Sequence, residues 1–386
     1  MSSVLGQARR SDARLARLVA ESTFASIGGV LLVSALVANQ RWLDRHFLPP
    51  FFLARYWYVL VETSVRLVTA ALGVVLAFVV RRRIGRFAAR APALALNIVL
   101  AAILALGASE LVLRRVHLRS AEWLWPDEEP RRQRDALLGW TFVPERTGHS
   151  SIGGRVVDYA FDPAGYRVRS VGEPVDPERP TILFTGESVM FGEGLTWEES
   201  VPAQVGAMMG QQSANLAVDG FGSDQAYLRL RTELPRFRQP VAVVSLFMTT
   251  LFGRNLDDDR PHFDPGLIWQ PAVQHGRLVS LAKLLVPYRS DEAVERGVRV
   301  TREVLRATVA LVAARGATPL ILVLQFGPED SVEQALRRRI FDDSGVPYLL
   351  VEIDPAWRVS GDGHPDARAA HAIAGAVAAR LRGASF

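Results

Sequence analysis

Residues 181–195 read TILFTGESVMFGEGL. The run Thr181-Ile182-Leu183-Phe184 is β-type, breaks at Gly186, and is followed two residues later by Ser188. Gly192 and Gly194 keep the next turn open. A strand that ends in Gly-x-Ser presents a hydroxyl at the carboxyl edge of a sheet, where open α/β sheets bind ligands. The same residue types also make ordinary turns. The hydroxyl gains chemical meaning only if the chain supplies a base to take its proton. The stretch is not a phosphate-binding P-loop, which needs Gly-Lys-Ser/Thr, because the only lysine is Lys283. Nor is it a Gly-x-Ser-x-Gly elbow, since Met190 stands where the second glycine would be.

From Thr181 onward the chain alternates. Strand-like runs fall at 181–184, 214–218, 241–247, 319–324 and 348–353. Helix-like stretches fall near 200–209, 223–234, 300–314, 332–341 and 365–381. This alternation predicts an α/β domain with a parallel sheet and helices on both faces. The interval 249–291 has no strong period and is a candidate substrate-side insertion. Upstream, LLGWTFVP (137–144) and RVVDYAFDPAGYRVRS (155–170) read as short strands, with a turn at Asp162-Pro163-Ala164-Gly165. The expectation is a small β-rich lead-in packed beside the main domain. The chain thus divides into residues 1–117, 118–180 and 181–386.

The first part reads as a membrane region. Apolar runs at 18–37, 56–80 and 92–113 each reach the 20 or so residues that a spanning helix needs. Glu62 and Arg66 lie four apart on the second run and are expected to pair on one face. Orientation follows arginine placement. Arg9, Arg10, Arg14 and Arg17 precede the first run, and Arg81, Arg82, Arg83, Arg86 and Arg90 lie between the second and third. Both groups are expected on the cytoplasmic side, which puts the N-terminus inside and everything after Leu113 outside. Arg114, Arg115 and Arg119 would lie on the outer side.

The net charge of +5 belongs to that first part. Residues 1–120 carry 16 Arg and no Lys against five acids, a net of +11, whereas the remainder has 29 basic and 35 acidic residues, a net of −6. A mildly acidic soluble part removes the main electrostatic support for nucleic-acid binding. With no cysteine in 386 residues, disulfides, thiolate metal sites and a thiol nucleophile are excluded. The histidines show no zinc-ligand spacing, and no cofactor is expected.

A serine nucleophile needs a base, an orienting acid and donors for an oxyanion. After the run 348–353 the sequence reads VSGDGHPDARAAH, so one loop offers Asp362 and His364 together. His364 could equally be a helix-cap neighbour and Asp362-Gly363 a plain turn; His371, on the following helix, reads as structural. For the oxyanion, the backbone N–H groups of Ser188 and Gly220 are candidates, the latter in NLAVDGFGSDQ (215–225). A side-chain donor should follow the third strand, in LFMTTLFGRNLDDDR, where Asn255 is the candidate.

In this order the pieces resemble the SGNH (GDSL-type) hydrolases: Gly186-Glu187-Ser188, then Asn215 and Gly220, then Asn255, then Asp362 and His364. LGW…P (138–144) and Gly165-Tyr166-Arg167 are similar to membrane-anchored bacterial members. The resemblance covers about residues 110–386 and implies a three-layer flavodoxin-like α/β/α domain that hydrolyses or transfers ester-linked acyl groups. On this resemblance Ser188, His364 and Asp362 are catalytic, and Ser188, Gly220 and Asn255 form the oxyanion hole. The family's first block usually has Asp where this chain has Glu187. Its third-block asparagine falls at Thr249 here, so Thr249 or Arg254 are alternatives to Asn255. Anchoring at a bacterial inner membrane suggests an acylated envelope glycan or lipid as substrate, an expectation that rests on location and not on any residue. The alternative is a catalytically inactive carbohydrate- or lipid-binding module of an envelope polysaccharide assembly system.

Overall fold

The computed structural model describes residues 2–48, 55–116 and 131–383. Arg119 and the start of the lead-in, residues 118–130, lie outside the described residues, as do 384–386. Two compact units divide the chain, and the shorter one combines the N-terminal helices with residues Gly276–Tyr288.

In that unit α1 (Ser2–Val37) is followed by α2 (Gln40–His46), whose N-cap Asn39 side chain accepts from the Trp42 N–H. Next comes α3 (Arg55–Val74), which runs through a π-helical turn at Val75–Val80 into α4 (Arg81–Arg90), and then α5 (Pro92–Leu113). Among the described residues, three stretches are long and apolar enough to cross a membrane: Ser11–Val37, Arg55–Arg90 and Pro92–Leu113. Their leucines and valines are largely exposed, as lipid-facing side chains would be. α1 and α3 approach so closely at Gly28 and Gly73 that a Cβ on Gly28 would stand 2.7 Å from the Gly73 carbonyl oxygen. Glu62 does not use Arg66 as its partner in the manner expected. Its Oε2 accepts from Gln40 Nε2 at 2.7 Å, while Arg66 Nε donates to the Ala35 carbonyl at 3.4 Å. Helix packing brings a polar group from another helix closer than the residue one turn away.

The larger unit opens with the hairpin β1 (Arg132–Asp135) and β2 (Gly139–Phe142), then β3 (Thr147–Ile152), β4 (Arg155–Phe161) and β5 (Arg167–Val168). There follow β6 (Thr181–Thr185), α6 (Ser188–Phe191), α7 (Val201–Met209), β7 (Gln212–Asn215), α8 (Ser223–Glu233) and β8 (Pro240–Phe247). A 3₁₀ turn at Thr249–Leu256 leads to the small pair β9 (His262–Asp264) and β10 (Ile268–Gln270). Then come α9 (Arg277–Leu285), which belongs to the first unit, and α10 (Asp291–Ala314), β11 (Thr318–Phe326), α11 (Ser331–Ile340), β12 (Tyr348–Ile353) and α12 (Ala367–Gly383).

The main sheet has eight strands in the order β12-β11-β8-β6-β7-β5-β4-β3. Its five parallel strands, numbered from β6, stand in the order 2-1-3-4-5, which is the flavodoxin-like doubly wound arrangement. All five residues of β6 are buried, as expected of a central parallel strand covered on both faces. α7 packs with α12, and α8 and α11 pack with α10. The expected strand 214–218 stops at Asn215, and Leu216–Val218 enter the core from a loop.

The lead-in differs from expectation in one respect. It does not simply pack beside the sheet; β5, β4 and β3 continue it in antiparallel fashion, joined at Arg167 opposite Asn215. Without them β7 would be an open edge with unpaired backbone groups. The turn at residues 162–165 forms as read: Asp162 Oδ1 accepts from the N–H of Ala164 and of Tyr166, both at 2.9 Å, and Gly165 takes φ +72°. β2 sends Trp140 and Phe142 into the core, the latter ring 4.4 Å from that of Phe161.

Candidate active site

β6 ends at Thr185, and Gly186 takes φ +149°. A side chain there is barred, because a Cβ would lie 2.9 Å from Leu246 Cβ on the neighbouring β8. Glu187 is the N-cap of the four-residue α6, its Oε2 accepting from the Val189 N–H at 3.2 Å. Ser188 is therefore the first residue of that helix, and its N–H is one of the donors a helix start leaves unpaired within the helix. α6 closes at Gly192, φ +87°, where a Cβ would stand 2.7 Å from Arg167 Nη1.

Arg167 explains that close approach. It is wholly buried and donates from Nη1 to the carbonyls of Phe191 (2.7 Å) and Gly192 (2.8 Å), and from Nη2 to that of Leu195. Its guanidinium lies 4.7 Å from the centre of the Tyr159 ring and 4.8 Å from that of Phe191. Burial pushes its pKa down, to about 10. A cation thus satisfies the carbonyl end of the helix that carries Ser188.

The loop after β12 supplies the partners. A β-bridge between Arg358 and Pro365 and the bond from Val359 N–H to the His364 carbonyl, 2.7 Å, fold residues 358–365 into a tight turn. Arg358 Nη1 closes it on the Gly363 carbonyl at 2.6 Å. His364 Nδ1 is paired with Asp362 Oδ1, which also accepts the His364 backbone N–H at 3.2 Å. With Nδ1–H donated to the carboxylate, Nε2 is left as the acceptor, and it stands 2.8 Å from Ser188 Oγ. His364 is raised above its ordinary value. Burial works against that rise, but the hydrogen bond and charge of Asp362, with the charges of Glu187 and Glu193, prevail. The hydrogen bond from His364 holds Asp362 below the usual carboxylate range.

Ser188 Oγ has a second acceptor, Glu187 Oε2 at 2.5 Å. The same oxygen is 3.5 Å from Arg254 Nη1, which also reaches the Phe221 carbonyl at 3.4 Å. Burial lowers the pKa of Arg254 despite this carboxylate neighbour. The Gly220 loop lies beside the serine turn, because the Val218 N–H bonds to the Gly186 carbonyl at 3.3 Å. Gly220 takes φ +80°, and a Cβ would meet the Trp140 ring at 3.2 Å. Trp140 Nε1 donates to the Asp219 carbonyl (3.0 Å) and Arg260 Nη1 to that of Gly220 (2.6 Å), so both flanking carbonyls are held.

No family model matches the chain, and no curated protein matches it. Among solved structures it is similar to an acetyl xylan esterase from the rumen bacterium Butyrivibrio proteoclasticus, at 12% identity over 55% of this chain and 66% of that one, TM-score 0.35. It is similar to a carbohydrate acetylesterase from Sinorhizobium meliloti, at 11% identity over 53% and 100%, TM-score 0.32. It is also similar to a protein described as lipolytic and of the G-D-S-L family from Desulfitobacterium hafniense DCB-2, at 12% identity over 52% and 98%, TM-score 0.32. The strand order itself is that of the flavodoxin-like doubly wound sheet.

Against the SGNH resemblance, four of the expected positions converge and one does not. Ser188, His364 and Asp362 form one hydrogen-bonded chain, with Gly220 on the adjoining loop. Asn255 is turned elsewhere. Its Oδ1 accepts from the Ser223 N–H at 2.9 Å, and its Nδ2 donates to Ser223 Oγ (3.1 Å) and Thr301 Oγ1 (2.9 Å). Both amide hydrogens have partners, so Asn255 fastens the start of α8 to α10 instead of aiming at the serine. Arg254, its predecessor, reaches Glu187 Oε2 at 3.5 Å, and Thr249 is buried at the turn's start.

Residues that the sequence reading passed over complete the surroundings. Arg131 bridges Glu193, two residues beyond α6, and Asp219, next to Gly220, at 2.9 and 3.0 Å. The only signal for this in the sequence was an acid placed beside a glycine in each of the two loops, Glu193 between Gly192 and Gly194 and Asp219 before Gly220.

Proposed function

We propose that this chain is a membrane-anchored serine acyl-ester hydrolase, with Ser188 as nucleophile, His364 as general base and Asp362 as the orienting acid. The single observation that carries the reading is the relay from Asp362 through His364 to a serine at the carboxyl edge of a doubly wound sheet. Ser188 Oγ attacks the acyl carbonyl as Nε2 takes its proton. The tetrahedral oxyanion is received by the N–H groups of Ser188 and Gly220. His364 then returns the proton to the leaving alkoxide, and the acyl group stays on Ser188. Water activated by the same Nε2 gives hydrolysis; a sugar hydroxyl in its place gives acyl transfer. Three apolar spans with arginine-rich ends support a cytoplasmic N-terminus and an extracytoplasmic catalytic unit. Location then favours an acylated envelope glycan or lipid as substrate.

One observation favours a second reading, a binding module without turnover. Glu187 Oε2 competes with His364 for the Ser188 proton. The test is carried out on the full chain in detergent, with p-nitrophenyl acetate and a fluorophosphonate probe beside Ser188→Ala and His364→Ala. Hydrolysis and labelling that vanish in Ser188→Ala support the serine mechanism. Labelling without hydrolysis, recovered when a sugar acceptor is added, selects transfer. Absence of both sinks the enzyme reading and leaves the binding module.

A further inference from the structure

α9 lies between β10 and α10 in sequence, yet it packs in the unit of the N-terminal helices. Both of its ends are fixed there. Glu110 on α5 caps its start, accepting from the Arg277 N–H at 2.7 Å and the Leu278 N–H at 2.9 Å. Just past its end, Tyr288 stacks on Trp42 and His46 of α2, with ring centres 5.8 and 5.1 Å apart.

Those anchor points identify the direction of α9. Glu110 is three residues from the end of α5, and Trp42 and His46 follow the end of α1. Spans one and three run the same way through a membrane, so both ends fall at the same face. A nine-residue helix covers about 13.5 Å. A helix tied to two span ends at one face runs along that face, not through it.

Its composition suits that position. Arg277 and Lys283 supply two cationic side chains, the Ser280 hydroxyl is buried, and the remaining positions are Leu, Val or Ala. Leu284, Leu285 and Val286 are 61%, 71% and 58% exposed, in line with the outward-facing Leu and Val of the spans. Exposed apolar surface of this kind marks a contact surface. Trp and Tyr at the same level are what the interfacial aromatic belt uses.

We propose that α9 is an interfacial helix, seated in the headgroup region of the leaflet in which the first span ends, with Leu284, Leu285 and Val286 in the acyl boundary. The occupant of this face is the bilayer itself, on the grounds of continuity with the lipid-facing spans, the aromatic stack and the cations Arg277 and Lys283. The inference rests on reading the N-terminal helices as spans.

The chain has no cysteine, so a single one can be placed and labelled in the full-length protein. Leu285→Cys carries an environment-sensitive nitrobenzoxadiazole in phosphatidylcholine–phosphatidylglycerol vesicles. Leu104→Cys, on the third span, and Val156→Cys, on β4, are the lipid and water controls; both positions are exposed. The expected result is that nitroxide-bearing lipids quench residue 285 several-fold more than residue 156, and that aqueous iodide quenches it several-fold less. The proposal is overturned if residue 285 behaves like 156 while 104 is still quenched by lipid. A label at 285 shielded from both quenchers also overturns it, because a protein then covers the face. If 104 itself escapes lipid quenching, the span reading fails, and α9 as an interfacial helix fails with it.

Discussion

Arg131→Met should destabilise the sheet-bearing unit far more than the loss of one surface charge would. Arg131 Nη1 lies 2.9 Å from Glu193 Oε1, and Nη2 reaches Glu193 Oε2 and Asp219 Oδ2 at 2.9 and 3.0 Å. The two acidic side chains are only 7% and 11% exposed. Methionine keeps an unbranched apolar stem but removes the guanidinium, which lies 5.1 and 5.4 Å from the Tyr159 and Phe191 ring centres, and leaves both carboxylates without that cation. Arg132 reaches Asp219 too, at the longer distance of 3.6 Å. Breaking a buried ion pair from one side costs about 3–5 kcal/mol, because an uncompensated charge stays inside. For a unit of roughly 250 residues each kcal/mol moves Tm by about 2–4 °C, so a drop on the order of 6–20 °C is expected.

The assay is thermal unfolding of the full chain in detergent, comparing wild type, Arg131→Met and the triple variant Arg131→Met, Glu193→Gln, Asp219→Asn. Neutralising the acids should restore most of the loss, since a buried pair replaced on both sides is close to neutral. The pH dependence has a definite sign. Burial alone would raise Asp219, but Arg131, Arg132 and Arg254 together hold it below its ordinary value. Its contribution is present above the ordinary carboxylate pKa and is lost as pH falls through the lowered one. The gap between wild type and Arg131→Met should therefore narrow in acid. A single variant that loses under about 1 kcal/mol, the range of exposed pairs, would refute the argument, as would a triple variant no better than the single.

Two further outcomes follow from the site. The acid limb of kcat/KM should lie above the ordinary histidine value, because His364 must be neutral to act and its pKa is raised by Asp362, Glu187 and Glu193, with Asp219 also facing it. Glu187→Gln keeps an oxygen for the Val189 cap and should move that limb down; an unmoved limb counts against the charge argument. Asn255→Ala should cost about 1–3 kcal/mol of stability by leaving the Ser223 N–H and the Thr301 hydroxyl short of a partner, with kcat little changed. A loss of about 10²–10³ in kcat without destabilisation would return Asn255 to the oxyanion hole.

What the sequence revealed and what it hid divide by the range of the interactions involved. Four of the five parallel strands were legible because each is a short apolar run with its own turn signals, and Tyr348–Ile353 begins and ends where expected; β7, Gln212–Asn215, is largely polar and was read two residues late. Asp362 and His364 were legible because one loop holds both, and Ser188 because strand, glycine and helix start are consecutive. The arrangement that escaped the reading was set by distant partners. Asn255 is claimed by Thr301, 46 positions on; Glu62 by Gln40, 22 positions back; Asp219 by Arg131, 88 positions back. A polar side chain advertises its capacity in sequence but not its partner, whereas an apolar run advertises the face it buries.

Glu187 shows how one methylene alters a site without altering the fold. As N-cap of α6 its carboxylate accepts from the Val189 N–H, a task that a shorter aspartate performs equally well. The longer side chain lets the same oxygen also meet Ser188 Oγ and Arg254. The hydroxyl proton is then shared between an acceptor that leads to Asp362 and one that leads to Arg254. Arg254 draws charge from Glu187 and weakens it as a rival to His364. In the proposed mechanism the Arg254 cation beside Glu187 Oε2 would favour transfer of the proton to His364. Glu187 Oε2 is thus the atom that joins the Ser188 hydroxyl to the Arg254 cation.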